Sequence, residues 1–217
     1  MQEVLVRVAA IGINPVEAYI RGGMHGRSPA SLPYTPGHDA AGVIVACGDA
    51  VPPRLRVGDR VFTLSTRSGA YADTCVADEA AVHVIPAPLS FAQAACLGVP
   101  AYTAARALHQ KLRVEPGKTV LVHGATGGVG VAAMQLARRA GLRVIGTAGT
   151  DDGVVAIAPY ADVVLRHGTP ALATEVRAAT EGLGVHYILE MLANVNLATD
   201  FQCLRQGGGI CIIGSRG

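Results

Sequence analysis

Tryptophan is absent from the 217 residues and phenylalanine occurs three times, which excludes an aromatic-rich binding module. Charge is scarce too. Asp, Glu, Lys and Arg make up 16% of the chain and balance to a net charge of +2. No run of Lys or Arg occurs, so the basic stripe that a nucleic acid or an anionic membrane surface needs is missing, and a nucleic-acid partner is not expected. Two long stretches lack charge, Ala80 to Ala105 and Thr119 to Ala137. The first carries Pro86, Pro88 and Pro100 and the second is broken by glycines, so neither reads as a membrane span. No charged segment followed by an apolar core opens the chain, and no secretory leader is expected. The five cysteines are scattered and form no CxxC pair, which argues against a disulfide framework. Reduced, mostly buried thiols in a cytoplasmic protein are the expectation.

Apolar residues make up 50% of the chain and glycine contributes 27 residues, a composition that suits an α/β protein with close backbone approaches. In the first ninety residues Val4, Val6 and Val8 alternate with Leu5, Arg7 and Ala9, the period of a half-buried strand. Further strands are predicted at 42–47, 60–64, 70–76 and 81–85, separated by turns such as Val57-Gly58-Asp59-Arg60. That spacing predicts a small, partly open barrel. Ser90 can cap a short helix over 91–97, and helix is expected again over 103–111. From Thr119 onward strands and helices alternate, with strands at 119–123, 142–147, 162–165, 185–190 and 209–213 and helices at 128–141, 171–181 and 196–205. This rhythm implies a parallel, doubly wound sheet. The division is placed between residues 92 and 93, giving domains 1–92 and 93–217.

The sharpest motif is Thr119-Val-Leu-Val-His-Gly124-Ala-Thr-Gly127-Gly128-Val-Gly130. An apolar strand runs into a glycine loop, and the loop runs into a helix with Val129, Ala132, Ala133, Leu136, Ala137 and Ala140 on one face and Gln135, Arg138 and Arg139 on the other. Glycines in that setting allow a tight turn, close approach of the backbone to a diphosphate, and close helix-on-strand packing. The free N–H groups of the helix start then hold the anion. The spacing is GxxGxxG, an imperfect match to the common dinucleotide fingerprint. The following strand ends Arg143-Val-Ile-Gly-Thr-Ala-Gly149-Thr150 without the carboxylate that binds a ribose 2′-hydroxyl, which favours NADP(H) over NAD. Asp151 and Asp152 come just later and either oppose that reading or start the next helix.

Ile13 to Arg21, Leu32 to Gly37, Gly58 to Phe62, Val122 to Ala125, Gly146 to Thr150, Glu190 to Leu197 and Gly214 to Gly217 together resemble the quinone oxidoreductases of the zeta-crystallin type, a zinc-free branch of the medium-chain dehydrogenase/reductase superfamily. The resemblance covers essentially the whole chain. It implies a GroES-like partial β-barrel domain followed by an incomplete Rossmann doubly wound parallel sheet, cut short at both ends of the family pattern. It also implies NADPH-dependent reduction of a small-molecule quinone, including one-electron chemistry, in a homo-oligomer. As cofactor contacts it implies Tyr19 near the nicotinamide, Thr126, Gly127, Gly128 and Val129 around the diphosphate, and Gly149 and His167 at the 2′-phosphate. Asn196 and Ile213, Gly214, Ser215 and Arg216 would lie along the nicotinamide side.

Several positions keep a second reading. Asn14-Pro15-Val16-Glu17 makes a good helix start as well as a source of an active-site amide. Thr103 is a helix cap or a nicotinamide contact, Tyr19 a contact or a packing residue, and His167 a contact or a surface residue. Asn14 and Val99 stand where zinc-dependent relatives carry cysteine ligands and only His38 remains, so a catalytic zinc is not expected. His38 beside Asp39 is a residue of the substrate region or a proton donor. The other histidines, His25, His83, His109, His123 and His186, have no metal spacing and read as packed or surface residues. The resemblance leaves a second class open, a catalytically weak or inactive protein that binds NADPH as a crystallin-like structural component, or one that binds AU-rich RNA. No catalytic residue is assigned.

Overall fold

A computed structural model describes residues 1–23 and 32–215. Among them two compact units form, Met1–Tyr102 and Thr103 onward. In the first unit β1 (Glu3–Ile11), β2 (Ala40–Cys47), β3 (Arg60–Thr63), β4 (Thr74–Asp78) and β5 (Val82–Val84) make an antiparallel sheet in the order β4-β1-β2-β3-β5. Alternation sends Val4, Val6, Ile44, Val61, Cys75 and Val82 into one core. Two short helices, α1 (Pro15–Arg21) and α2 (Phe91–Ala95), flank it. Ser90 caps α2, accepting from Gln93 N–H at 3.2 Å. Ala94 and Ala95 of α2 pack on Ala41 and Ile85. The expected division at 92/93 falls inside α2, and the compact unit runs on to Tyr102 because α2 is seated on β1, β2 and β3.

The second unit is a parallel sheet of β6 (Thr119–Val122), β7 (Arg143–Ala148), β8 (Val163–Arg166), β9 (Val185–Glu190) and β10 (Leu204–Ile212), in the order β10-β9-β6-β7-β8. Its helices are α3 (Tyr102–Ala105), α4 (Gly128–Arg139), α5 (Asp151–Ile157), α6 (Leu172–Ala178) and α7 (Ala193–Cys203). The strands are apolar on both faces, as a sheet covered on two sides must be. Val120, Val122, Val144 and Leu189 face Ala133, Met134 and Ala137 of α4 and Ile157 of α5. Leu121, Ile145 and Ile188 face Leu172 and Val176 of α6 and Cys203 of α7. Strand order reverses direction at β6: β7 and β8 lie on one side, β9 and β10 on the other. That switch point opens a crevice beyond the carboxyl ends of β6 and β9, where an open α/β sheet takes its ligand.

Thr103 follows Tyr102 inside α3, so it does not occupy a capping position. Among the described residues no helix is long and apolar enough to cross a membrane. Leu121 is fully buried at the centre of the parallel sheet. Leu121→Ala is expected to cost about 2–5 kcal/mol by cavity formation, read as a lower urea midpoint with an unchanged slope.

Candidate functional site

The carboxyl edge of the parallel sheet gathers most of the expected contacts. β6 delivers His123 and then Gly124, whose φ of 54° is left-handed. Thr126, Gly127 and Gly128 are exposed and Val129 is half-buried. Helix α4 begins at Gly128 with Gly127 as N-cap, no side-chain cap and no acidic residue in its first turn. Its leading N–H groups are therefore uncommitted donors at a positive dipole end. Gly130 makes this placement possible: a Cβ there would lie 2.5 Å from the Gly124 carbonyl oxygen and 2.6 Å from Ala125 Cα.

Beyond β7, Gly149 is exposed and stands against His167, whose Nε2 lies 2.8 Å from where a Cβ on residue 149 would be. His167 is half-buried, and its Nδ1 is 3.1 Å from Thr147 Oγ1. Burial, with His123 and Arg166 nearby, holds its imidazole below the usual range. Thr150 caps α5, accepting from Gly153 N–H at 3.1 Å. Asp151 and Asp152 fall in the first turn, and Asp151 Oδ1 pairs with Arg166 Nη1 at 2.9 Å. Arg166 is a cation that the sequence reading missed; it ends β8, and its place beside His167 is its only signal in the sequence.

Beyond β9, Asn196 of α7 donates its amide to Glu190 Oε1 at 3.1 Å, and Leu192 N–H donates to the same oxygen. Ile213 and Gly214 N–H reach the Glu190 carbonyl at 2.8 and 3.3 Å. A Cβ on Gly214 would lie 2.1 Å from Met191 O, so this turn tolerates only glycine. Ser215 is exposed; Arg216 lies outside the described residues, as does His25. His123, read as a packed or surface residue, is buried with Glu190 and Asp200, its Nε2 at 2.8 Å from Asp200 Oδ1 and 3.5 Å from Glu190 Oε2.

The first unit carries its own polar centre. Asn14 precedes α1, and Glu17 Oε2 accepts its N–H at 2.7 Å, so helix capping and site-building coincide. The Asn14 amide donates to Asp39 Oδ2 at 2.8 Å, and Val99 N–H donates to Asp39 Oδ1 at 2.8 Å. Asn14 and Val99 are thus both held by one buried carboxylate. Burial pushes the Asp39 carboxyl up, against the pull of these donors. His38 N–H reaches Glu17 Oε1 at 3.2 Å, with the His38 Nδ1 atom at 3.6 Å from the same oxygen. Glu17, Ile20, Tyr34, His38, Thr66 and Arg67 line a pocket of about 340 Å³ in this unit. The Tyr34 hydroxyl and His38 Nδ1 are buried there without a hydrogen-bond partner among the described residues. Tyr19, on α1, is half-buried.

Residues 1–88 match the alcohol dehydrogenase GroES-like domain family and residues 128–217 the zinc-binding dehydrogenase family. The chain is 47% identical to the quinone oxidoreductase of Homo sapiens over 216 residues, which is 99% of this chain and 65% of that protein. A mycobacterial structure solved with NADPH superimposes with a TM-score of 0.90 at 32% identity, covering 99% of this chain and 66% of the other. The Escherichia coli quinone oxidoreductase complexed with NADPH gives 0.89 at 29% identity, with 100% and 67% covered. A GroES-like sheet followed by a parallel nucleotide-type sheet defines a dehydrogenase/reductase architecture. The chain belongs to the medium-chain dehydrogenase/reductase superfamily, and the human and Escherichia coli relatives named above are quinone oxidoreductases. It spans about two thirds of the length of the curated relatives it matches, 65% in the human case.

Tyr71 offers a spectroscopic check on the polar centre of the first unit. Its hydroxyl donates to Glu17 Oε2 at 2.8 Å, and burial together with that carboxylate pushes the phenol up to about 12. The absorbance titration of the wild type minus that of Tyr71→Phe should show one phenol ionising near about 12, well above the ordinary tyrosine value of about 10.

Proposed function

We propose that this chain binds NADPH along the carboxyl edge of its parallel sheet and serves the reduction of a quinone, in a cytoplasmic setting. One observation carries the reading: the uncapped, acid-free start of α4 lies at the switch point of a sheet whose second strand ends without a carboxylate, with His167 and Arg166 close by. The five cysteines are all free, which suits a reducing compartment.

The residues fit the cofactor. N–H groups from Gly128 to Gly130 and the exposed Thr126 would take the diphosphate. Gly149 leaves room for a 2′-phosphate, and His167 and Arg166 would supply its donors. Asn196 and the Ile213–Ser215 turn, with Arg216 after it, would hold the nicotinamide half. When bound, NADPH supplies a hydride from its nicotinamide C4. The chain's own task is orientation and exclusion of water, since a quinone is already electrophilic. In the first unit, the unpaired Tyr34 hydroxyl can donate to a quinone oxygen, and His38, backed by Glu17, can hand over the proton that completes a hydroquinone. Asn14 and Asp39 brace the wall behind them.

The test is quinone-dependent oxidation of NADPH, followed by the cofactor's absorbance, with NADH as comparison. His167→Ala is expected to raise the KM for NADPH about tenfold, worth about 1.4 kcal/mol, and to leave that for NADH nearly unchanged. An equal rise for both cofactors, or no turnover with either, would count against the assignment.

A further inference from the structure

His123, Glu190 and Asp200 are exposed by only 2%, 0% and 0%, and neither the diphosphate cradle nor the quinone pocket uses them directly. Strand alternation explains the meeting. His123 has the parity of Leu121 and Glu190 that of Ile188, so both point to the face covered by α7, which supplies Asp200. Three buried polar atoms of this cluster lack a hydrogen-bond partner among the described residues: Glu190 Oε2, Asp200 Oδ2 and His123 Nδ1. Two adjacent carboxylates in a protein interior cannot both ionise cheaply. A single proton between Glu190 Oε2 and Asp200 Oδ2 satisfies both oxygens at once.

We propose that Glu190 is a positioning residue for the cofactor edge: its carboxyl group shares one proton with Asp200 and, through Oε1, clamps Asn196 and the turn after β9. The proposal rests on the NADPH reading. With the proton in place, Asp200 accepts from His123 Nε2 at 2.8 Å, and Glu190 Oε1 accepts from Leu192 N–H and the Asn196 amide. The cluster thereby ties His123, the residue before the glycine loop, to Asn196 in the first turns of α7. Burial pushes the Glu190 carboxyl up, His123 and the Leu192 N–H pull it back, and Asp200 pushes it up again; the net direction is upward.

β6 presents His123, with His167 beyond it; α7 presents Asp200 and Asn196; the turn presents the Leu192 N–H. On β10 the residue paired with Glu190 is Ile212, which does not titrate, and the adjacent Cys211 is a thiol whose burial pushes it up. A carboxyl group raised in the folded state contributes stability that is fully present below its ordinary range and is lost as pH rises from that range through the raised value.

The experiment follows NADPH affinity and Tm of the full chain from the ordinary glutamate range, about 4.3, upward, in wild type, Glu190→Ala and Glu190→Gln. Glu190→Ala frees Asn196, and NADPH affinity is expected to fall about tenfold. Glu190→Gln, which keeps a donor toward Asp200 and an acceptor toward Asn196, is expected to restore most of that loss. Affinity and Tm of the wild type should fall together as pH rises above the ordinary carboxylate range, and both falls should vanish in Glu190→Gln. The same pH profile in wild type and Glu190→Gln would overturn the proposal. So would about one divalent metal per purified wild-type chain that Glu190→Gln lacks, because the three ligand atoms lie within 4.8 Å of one another. If Glu190→Gln does not fold, Asp200→Asn removes the second carboxyl group and should likewise abolish that fall in Tm; an unchanged fall overturns the idea. Absence of NADPH binding by wild type at every pH would instead overturn the cofactor reading, and the Tm profile alone would then decide the shared proton.

Discussion

Helix α4 can begin where it does only because residue 130 has no side chain. A methyl group there would collide with backbone at 2.5 Å, and backbone cannot swing aside as the end of a flexible side chain can. The close approach brings the helix start to the carboxyl end of β6, beside the point where strand order reverses. The rest of the second unit accommodates that contact. Ala133 and Ala137 let the helix lie close on Val120 and Val122, and Gly146 leaves space on β7 for Met134, whose sulfur is 3.0 Å from the missing Cβ. Substituting any of these small residues by a large one would lift α4 and carry its donors off the sheet edge.

Both units fix their polar residues with buried carboxylates, and each carboxylate is stabilised differently. Asp39 is surrounded by donors, the Asn14 amide and the Val99 N–H, so it can remain an acceptor despite its burial. Glu190 has donors at one oxygen only, and a second carboxylate near the other. A group met by donors on one side and an acceptor on the other is best served by keeping its proton. Two buried carboxyl groups thus hold loops in place, each through the partners that surround it.

The strand–loop–helix core of the second unit was legible in the sequence because apolar periodicity and glycine placement act locally. Thr119 to Ala140 encodes strand, turn and amphipathic helix without help from the rest of the chain. The polar clusters were not legible, since their members are distant in sequence: His123 meets partners 67 and 77 residues later. Strand parity was the available signal, and it shows only once the two strands are known to be neighbours. Edges also moved. The strand expected at 70–76 forms at Thr74–Asp78, because the residues before it make a turn in which Ala70 and Tyr71 N–H bond back to Gly37 and Pro36. The helix expected over 196–205 starts earlier, at Ala193, whose N–H is held by the Gly214 carbonyl. No local pattern reports a partner twenty residues away.

Direct binding of NADPH tests the central claim most simply. The chain has no tryptophan, so the cofactor's own fluorescence can be followed against a weak protein background. The account predicts saturable binding with NADPH preferred over NADH by about tenfold or more, the value of one well-placed set of phosphate contacts. Equal or tighter binding of NADH by the folded chain, or no binding of either, would contradict it.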